Sequence, residues 1–378
     1  MIQEFYQENP LLFITLLLLV LATLVQLFYY WVVYGKVAFF KQKNEFVRSD
    51  QPVSVIVCAR DEYYNLKENL PLLLKQDYSA FEVVVVNHGS EDETKYLLRD
   101  LADEYKNLKI VNVSQDLNFF TGKKFPLSIG IKSASYEVLL FTDADCKPAS
   151  NQWLRRMAAN FTEETEIVLG YGAYSKSKSL INLLIRFDTT RIAMNYLGFA
   201  RAGMPYMGVG RNMAYRKSLF YRQNGFISHY RIQSGDDDLF INKAATSKNT
   251  RIEIQPDAHT ISFPKSSLDQ WLRQKRRHLL TGGYYKPAHK FALGLFAVTQ
   301  VTFWAAATLL LIMWYQPYIV TGIVVVRLFS QLLITGKVMN KLSEKGFLFL
   351  VPLFELFLMV VSPFLAFANM VRKPVKWR

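Results

Sequence analysis

The chain has 378 residues, a formal net charge of +14 and 51% hydrophobic residues, a composition that excludes disordered and collagen-like chains. Its mean hydropathy is +0.08, so we expect a soluble domain joined to membrane segments. Its two cysteines, Cys58 and Cys146, are too few for a disulfide scaffold or a structural zinc site. We therefore expect a reducing compartment.

The first long apolar segment runs from Pro10 to Tyr34 without a charged residue. About 20 apolar residues cross the hydrocarbon core of a bilayer, and the bulky residues that follow argue against a cleaved signal peptide. We therefore predict an extramembrane stub at residues 1–9 and a transmembrane helix at residues 10–35. Lys36, Lys41 and Lys43 follow this helix, so the positive-inside rule places residues 36–290 in the cytosol.

Residues 36–290 begin with an alternating α/β pattern. Apolar segments of strand length start at Val53, Glu82, Leu108 and Glu137, and helix-like segments separate them. This pattern predicts a parallel sheet that is covered on both faces. The glycine-rich phosphate motifs of dinucleotide oxidoreductases and P-loop ATPases are absent from the sequence, which argues against both classes.

Asp143-Ala144-Asp145 follows the fourth predicted strand directly. Ligands bind at the carboxyl edge of open α/β sheets, and two carboxylates at that edge are able to hold a hard cation bridged to a diphosphate. In the alternative interpretation, one of the two carboxylates caps the next helix. These residues alone leave both interpretations open.

Three consecutive acids, Asp236, Asp237 and Asp238, precede an apolar segment. Crowded carboxylates raise one another's pKa, which suits a general base that works near neutral pH. The alternative is an acidic helix start that the helix dipole stabilises. Because no lysine adjoins the three acids, we favour the catalytic interpretation.

Residues 271–280 predict a helix with one face formed by Trp271, Gln274, Arg277 and His278. A guanidinium beside an amide can clamp phosphate or hydroxyl oxygens. The alternative is a basic amphipathic helix on the bilayer surface, and the two interpretations are compatible. Arg273 and Arg276 point elsewhere and are expected to face lipid head groups.

Residues 291–371 are predicted to form a C-terminal membrane region with two to three spans. Two spans fit at 291–315 and 318–336, with a break at Gln316-Pro317. The last apolar segment contains Glu355 and two prolines, so it is either a kinked span or a re-entrant element. A fourth crossing would place the basic tail at 372–378 outside, against the positive-inside rule. Arg327 is expected either to snorkel to the interface or to face neighbouring helices, rather than to line a substrate path.

Several motifs, taken in order, resemble glycosyltransferase family 2 over roughly residues 50–285. VSVIVCARDEYYNL resembles the first strand and nucleotide-binding turn of that family, VVVVNHGSEDET its second strand, and Gly122-Lys123 its G-K motif. TDAD resembles its metal-binding D-x-D, GVGRNMAYRKSLF its acceptor-side segment, GDDDL its E-D-x-D-L, and QKRRH its Q-x-x-R-W. The last motif is shared by polysaccharide synthases and ceramide glucosyltransferases. Asn87-His88, Gly235 and His278 depart from these patterns.

This resemblance implies an α/β fold, in which a GT-A (Rossmann-like) nucleotide-sugar-binding domain is flanked by transmembrane helices. It implies Asp236 as the catalytic base and Asp145 with Asp143 as ligands of Mg²⁺ or Mn²⁺. The implied donor contacts are Ala59, Arg60, Glu62, Asn87, Lys123 and Asp143. The implied diphosphate and acceptor contacts are Gln274, Arg277, His278 and Asp237.

The function implied by the resemblance is inverting hexosyl transfer from a nucleotide sugar, with a UDP-sugar as the expected donor. The expected acceptor is a lipid or lipid-linked glycan, and the expected location is the cytoplasmic face of a bacterial inner (plasma) membrane. A nucleic-acid partner is not expected, because Lys and Arg cluster at the membrane boundaries. Two alternatives stay open: a processive polysaccharide synthase, which His278 in place of Trp weakens, and a catalytically silent membrane scaffold.

Overall fold

The computed structural model describes residues 9–41, 51–113, 122–232 and 234–371. Most of the predicted N-terminal stub and the whole basic tail at 372–378 lie outside the described residues. The first helix, α1 (Pro10–Ala38), begins with Asn9 as its N-cap, whose side chain accepts a hydrogen bond from the N–H of Leu12 at 3.2 Å. Pro10 is favourable at the first helical position because its missing N–H has no intrahelical partner there. The helix extends three residues beyond its predicted end.

Ten strands follow in the described residues. They are β1 (Val53–Ala59), β2 (Phe81–His88), β3 (Leu108–Val113), β4 (Val138–Asp143), β5 (Cys146–Pro148), β6 (Ile167–Leu169), β7 (Gly172–Tyr174), β8 (Met213–Arg216), β9 (Thr250–Ile252) and β10 (Thr260–Ser262). Seven of them form one sheet in the order β3-β2-β1-β4-β8-β6-β9, and the others form a small sheet in the order β5-β10-β7.

The helices of this domain are α2 (Tyr63–Leu74), α3 (Thr94–Glu104), α4 (Lys124–Ser133), α5 (Trp153–Ala158), α6 (Leu180–Arg201), α7 (Lys217–Arg222), α8 (Asp238–Ala244) and α9 (Leu268–His278). The C-terminal helices are α10 (Pro287–Ile312), α11 (Pro317–Lys341) and α12 (Val351–Val371). Short 3₁₀ turns occupy Ile227–His229, Pro256–Ala258, Gly282–Tyr284 and Leu348–Leu350.

The strands predicted from sequence form the centre of the large sheet. β1 pairs with β2 and β4 in parallel, and β2 with β3. All seven residues of β1 are buried, with Ile56 and Val57 in cores on opposite faces. The prediction of a sheet covered on both faces is therefore confirmed for this part. The sheet as a whole is mixed, because β8 runs antiparallel to β4 and β6.

Within the described residues, four helices are long and apolar enough to cross a membrane: Pro10–Ala38, Pro287–Ile312, Pro317–Lys341 and Leu348–Val371. α10 packs along α1, with Leu19 and Phe303 buried in their common core. The predicted break at Gln316-Pro317 coincides with the start of α11, where Gln316 adopts φ +47. α10 and α11 extend beyond the predicted spans into the polar segments on the side of the large domain.

Arg327 lies inside α11 and is completely buried. Its guanidinium donates hydrogen bonds to Glu355 at 2.6 Å, to Gln331 at 2.6 Å and to Gln26 at 3.1 Å. These partners belong to α12, α11 and α1, so Arg327 faces neighbouring helices, which is one of the two expected placements. A buried cation requires such partners because its desolvation is costly.

α6 connects the sheet domain to the membrane helices. The Tyr34 hydroxyl of α1 donates to the Asn195 side chain of α6 at 3.0 Å. A Cβ at Gly198 would lie 3.1 Å from the Val33 carbonyl oxygen, so glycine permits the close approach of these two helices. The sheet domain therefore lies against the C-terminal end of α1.

Candidate active site

The carboxyl ends of three parallel strands bring several predicted site residues to one edge of the sheet. Ala59 is the register partner of Asn87, and Cys58 that of Asp143. The Asn87 side chain donates to Asn112 at 3.1 Å and accepts from the N–H of Ser90 at 3.4 Å. This edge is where open α/β sheets bind ligands.

Asp143 and Asp145 lie at this edge of the sheet, which we call the acidic edge. One ligand atom from each of Asp143, Asp145 and Cys146 lies within 4.8 Å of the others. The next helix, α5, has Gln152 as its N-cap, which removes the helix-capping interpretation of the two acids. Burial raises the pKa of Cys146 well above its usual value, so its thiol stays protonated and the carboxylates are the available donors.

The charge balance at this edge fits a divalent cation. Lys123 forms an ion pair with Asp143; burial opposes ionisation, yet this pairing holds the Asp143 pKa below its usual value. Burial and the nearby Asp143 charge raise the pKa of Asp145, as expected for two carboxylates sharing one lysine. Carboxylate oxygens are donors that Mg²⁺ and Mn²⁺ prefer, so the residues fit the implied metal.

Glu62 and Arg60 lie in the turn after β1. Asn65 donates to the Glu62 carboxylate at 2.6 Å, and burial together with the charge of Asp145 raises the Glu62 pKa. The nearby charge of Arg60 adds to burial in lowering the pKa of His88. Glu62 therefore lies near Asp145, and Arg60 lies near His88 at the end of β2. Their donor contacts stay predictions.

Asp236 lies across the site from β4. It shares a small cavity with Lys123, Thr142 and Gly210. Burial, with the charge of Asp237 adding to it, raises the Asp236 pKa to about 6. Gly235 precedes it at φ +100, and a Cβ there would lie 2.5 Å from Leu239, which explains why glycine stands at this position of the motif.

The other two acids of the run have hydrogen bonds at the start of α8. The Asp237 carboxylate accepts from the N–H of Gly210 at 2.8 Å and of Asp238 at 2.7 Å. Asp238 accepts from the Tyr285 hydroxyl at 2.7 Å. The helix-start interpretation therefore applies to Asp237 and Asp238, and the catalytic role of Asp236 stays a prediction. The acceptor contact of Asp237 stays a prediction.

Lys124 supports the segment that carries Asp236. Its side chain is 4% exposed, and its ammonium donates to the carbonyl oxygens of His229 at 3.1 Å, Ile232 and Ser234 at 2.7 Å. These carbonyls belong to the loop that ends at Asp236. Two adjacent lysines thus contact different parts of the site. Lys123 pairs with Asp143, and Lys124 donates to the loop that leads to Asp236.

We expect Lys124→Met to lower kcat while the donor KM changes little. Loss of the ammonium leaves three carbonyl oxygens without this donor and lets the Asp236 loop shift, and a shift of about 1 Å can cost about 10²-fold in rate. Steady-state kinetics measure both constants. Lys132→Met, an exposed lysine of the same helix, is the matched control. An unchanged kcat in folded Lys124→Met protein would show that the loop does not position the base.

α9 places Gln274 beside the small sheet. Gln274 donates to the Tyr174 hydroxyl at 3.3 Å, and the Arg211 guanidinium lies 4.3 Å from the centroid of the Tyr174 ring. Arg277 is half-buried and His278 is exposed. His278 of α9 lies near enough to Asp143 to add to the lowering of its pKa by Lys123 and Arg211, which burial opposes, so α9 faces the acidic edge.

The contacts of the basic residues of α9 differ in part from the prediction. Lys275 is 6% exposed and donates to Asp188 of α6 at 2.6 Å. Arg276, expected to face lipid head groups, donates instead to Asn369 of α12 at 3.0 Å. Arg273 is exposed and pairs with Asp269 at 2.7 Å. The expectation for Arg276 was wrong because helical period identifies a shared face, whereas packing decides what that face contacts.

Arg211 is a site residue that we missed from the sequence. Its side chain donates to the Ser262 hydroxyl at 3.2 Å, and a Cβ at Gly172 would lie 2.4 Å from it. Gly172 therefore leaves room for this guanidinium beside the acidic edge. The available signal was an arginine directly after Gly208-Val-Gly210, inside the segment GVGRNMAYRKSLF.

Comparison with known families gives two matches. Residues 54–223 match the glycosyl transferase family 2 model, and residues 139–369 match that of glycosyl transferase family group 2. The second match covers more than half of the chain. Together they span the acidic edge, Asp236, α9 and the C-terminal helices.

Among the curated relatives, two match about a third of this chain. The glycosyltransferase AglE of Haloferax volcanii is 35% identical over 106 residues, 28% of this chain and 33% of the relative. The poly-beta-1,6-N-acetyl-D-glucosamine synthase of Staphylococcus epidermidis is 30% identical over 125 residues, 31% of this chain and 29% of the relative. The chain thus spans about a third of the length of these relatives.

Among the solved structures that resemble this chain is one that covers most of it. The mannosyltransferase PcManGT from Pyrobaculum calidifontis, in complex with GDP-Man and Mn²⁺, superposes with a TM-score of 0.57 at 20% sequence identity. The alignment covers 87% of this chain and 96% of that chain. At this identity the likeness shows the fold, and the predicted GT-A-like α/β domain with long apolar helices is confirmed.

Proposed function

This chain belongs to glycosyltransferase family 2, an inverting family that uses nucleotide-sugar donors, and we propose that it transfers a hexose to a lipid or lipid-linked acceptor at the membrane surface. The observation that carries the proposal is the acidic edge of Asp143 and Asp145 facing Asp236. This site lies in a domain packed against membrane helices through α6.

The donor half of the proposed site is built on the acidic edge. Asp145 and Asp143 would hold Mg²⁺ or Mn²⁺, which when bound supplies positive charge to stabilise the leaving diphosphate. Lys123 keeps Asp143 ionised and oriented. Ala59, Arg60, Glu62 and Asn87 would contact the nucleoside, and Gln274, Arg277 and His278 would close over the diphosphate. A UDP-sugar donor stays a prediction.

The acceptor half of the proposed site is built on Asp236. A carboxylate with a pKa of about 6 is ionised at neutral pH, yet basic enough to accept the proton of an acceptor hydroxyl. That hydroxyl would then attack the sugar carbon on the face opposite the leaving diphosphate, which inverts the configuration.

The position of the domain supports a membrane-bound acceptor. α9, which carries Gln274 and Arg277, is attached to α6 by the Lys275–Asp188 ion pair at 2.6 Å. α6 contacts α1 through Asn195 and Tyr34 at 3.0 Å. The proposed site is therefore connected to the membrane helices by the contact of α9 with α6 and by the contact of α6 with α1. A lipid-anchored acceptor in the adjacent leaflet would be within reach of the site.

A processive polysaccharide synthase is the second candidate, because a relative that is 30% identical over 125 residues bears that name. Product length separates the two candidates. Chromatography of products from purified protein and nucleotide sugar should give single-sugar adducts under our proposal. Long polymer would favour the synthase.

We expect one class of nucleotide sugar to raise the thermal stability of the purified protein, and to do so only with Mn²⁺ or Mg²⁺. A ligand at 100 times its Kd stabilises the native state by about 2.7 kcal/mol. A thermal-shift panel of UDP-, GDP-, CMP- and dTDP-sugars measures this effect. Asp145→Asn should abolish the metal-dependent shift, whereas Asp269→Asn, an exposed acid, should retain it. An equal shift without divalent cation would contradict the metal assignment.

We expect kcat/KM to fall about tenfold for each pH unit below about 6 and to level off above it. A general base works in its deprotonated form, and burial raises the Asp236 pKa to about 6, with Asp237 and Asp143 raising it and Lys123 opposing them. Rates measured from pH 5 to 8 with Mg²⁺ test this dependence. A flat profile across pH 6 would rule out Asp236 as the titrating base.

A further inference from the structure

α12 is apolar enough to cross the membrane, yet its N-terminal end is attached to the sheet domain. Glu344, just before it, accepts hydrogen bonds from Arg186 of α6 at 2.9 Å and from the buried Tyr171 at 3.1 Å. Phe347 packs against Phe187 of α6 with ring centroids 6.2 Å apart. The chain therefore enters α12 from the side of the membrane where the sheet domain lies.

The first turns of α12 reach into the membrane region. The Lys337 ammonium lies 5.1 Å from the centroid of the Phe39 ring, which marks the domain-side ends of α11 and α1. Arg327 precedes Lys337 by ten residues, about 15 Å deeper along the helix. Glu355 of α12 binds Arg327 at 2.6 Å. This part of α12 therefore lies inside the membrane region, near the level of Arg327.

The C-terminal end of α12 returns to the sheet domain. Arg276 of α9 donates to the Asn369 side chain at 3.0 Å and to the Ala368 carbonyl at 3.1 Å. The Asn369 amide donates back to the Arg276 carbonyl at 2.8 Å. A perpendicular 21-residue helix would separate its ends by about 30 Å, across the bilayer. Here both ends contact helices of one domain.

We infer that α12 is a re-entrant helix whose outer face inserts into the lipid leaflet next to the sheet domain, and that α1, α10 and α11 are the crossing helices. Three crossings return the chain to the domain side after α11. This topology resolves the charge conflict of a fourth crossing. It places Lys337, Lys341 and Lys345 on the same side as the tail basic residues Arg372, Lys373, Lys376 and Arg378, in agreement with the positive-inside rule.

The two faces of α12 differ in the way that this placement requires. A buried face packs on the protein and contains Phe354, Glu355, Leu358 and Leu365. An exposed apolar stripe contains Leu353, Val360, Phe364, Phe367 and Val371. The stripe recurs at intervals of seven, four, three and four residues, a helical period. Acyl chains are the partner that fits it, because the crossing helices also carry exposed apolar residues, for example Val298 and Val325, and basic residues adjoin the helix.

Cysteine labelling of the full chain in sealed vesicles tests the topology. Lys373→Cys should react with a membrane-impermeant maleimide from the same side as Lys345→Cys, an exposed lysine before α12. It should react from the side opposite to Trp314→Cys, which is 76% exposed between α10 and α11. The native cysteines are buried, so the parent protein serves as the unlabelled control. Labelling of Lys373→Cys together with Trp314→Cys would overturn the inference.

A spin label on the stripe tests the lipid partner. With Phe364→Cys labelled in vesicles, collisions with oxygen should exceed those with a polar nickel complex, as for a site in acyl chains. Tyr96→Cys, at an exposed position on α3, should show the reverse order. Low accessibility to both reagents at position 364 would mean that protein covers the stripe, and it would refute lipid insertion.

Discussion

Asp236→Asn is expected to lower kcat by about 10²- to 10⁴-fold, the usual contribution of a general base. The amide has nearly the same shape as the carboxylate, so it preserves packing in the cavity shared with Lys123 and Thr142, but it cannot accept the acceptor proton. Donor binding should persist, because the proposed metal ligands Asp143 and Asp145 are unchanged in this variant. Single-turnover transfer from nucleotide sugar measures the rate, and the thermal shift measures donor binding.

Two controls make this experiment specific. Asp100→Asn removes an exposed acid of α3 and should leave kcat unchanged. Asp237→Asn alters the neighbouring acid, which accepts from the N–H of Gly210 at 2.8 Å, and should lower thermal stability. A wild-type transfer rate in Asp236→Asn would refute the base assignment. Loss of donor stabilisation in the same variant would instead indicate a role in donor binding.

Arg327→Met is expected to destabilise the protein by about 3–5 kcal/mol, the cost of leaving one partner of a buried ion pair uncompensated. Glu355 is 4% exposed, so water cannot replace the lost guanidinium. The side chains of Gln26 and Gln331 would lose a donor as well. Denaturant-induced unfolding in detergent, followed by tryptophan fluorescence, measures the change in the free energy of unfolding.

A second substitution separates charge burial from packing. Adding Glu355→Leu to Arg327→Met removes the uncompensated carboxylate, and the double variant should recover part of the lost stability. Arg273→Met breaks the exposed pair with Asp269 and should cost at most about 1 kcal/mol. An Arg327→Met variant no less stable than Arg273→Met would show that the buried pair contributes little.

The central strands and the acidic pair were predictable because their signals are local. A strand buried on both faces is mainly apolar, and the sequences of β1 and β2 show near-continuous apolar runs. The position of Asp143 was predictable because this residue ends β4, and the carboxyl ends of parallel strands lie at the same edge of the sheet. The π-helical turn at Tyr29–Tyr34 in α1 has no comparable local signal.

The short strands on the other side of the sheet could not be predicted in this way. β6 and β9 have three residues each, and β8 has four. Segments of this length are too short for a period to emerge from sequence. Their pairing depends on contacts with distant segments, for example Ile167 in register with Thr250. The antiparallel direction of β8 was missed for the same reason.

The sequence by itself determined where the apolar segments lie and which acids end the strands, because hydrophobic period and strand ends are properties of neighbouring residues. Only the tertiary structure decided which partner each charged side chain meets. Lys275 and Asp188 are 87 residues apart, and Arg276 meets α12 across 93 residues. The desolvation cost of a buried charge is offset only when packing supplies a partner of opposite charge or a hydrogen-bonding group. The same packing places both ends of α12 against the sheet domain.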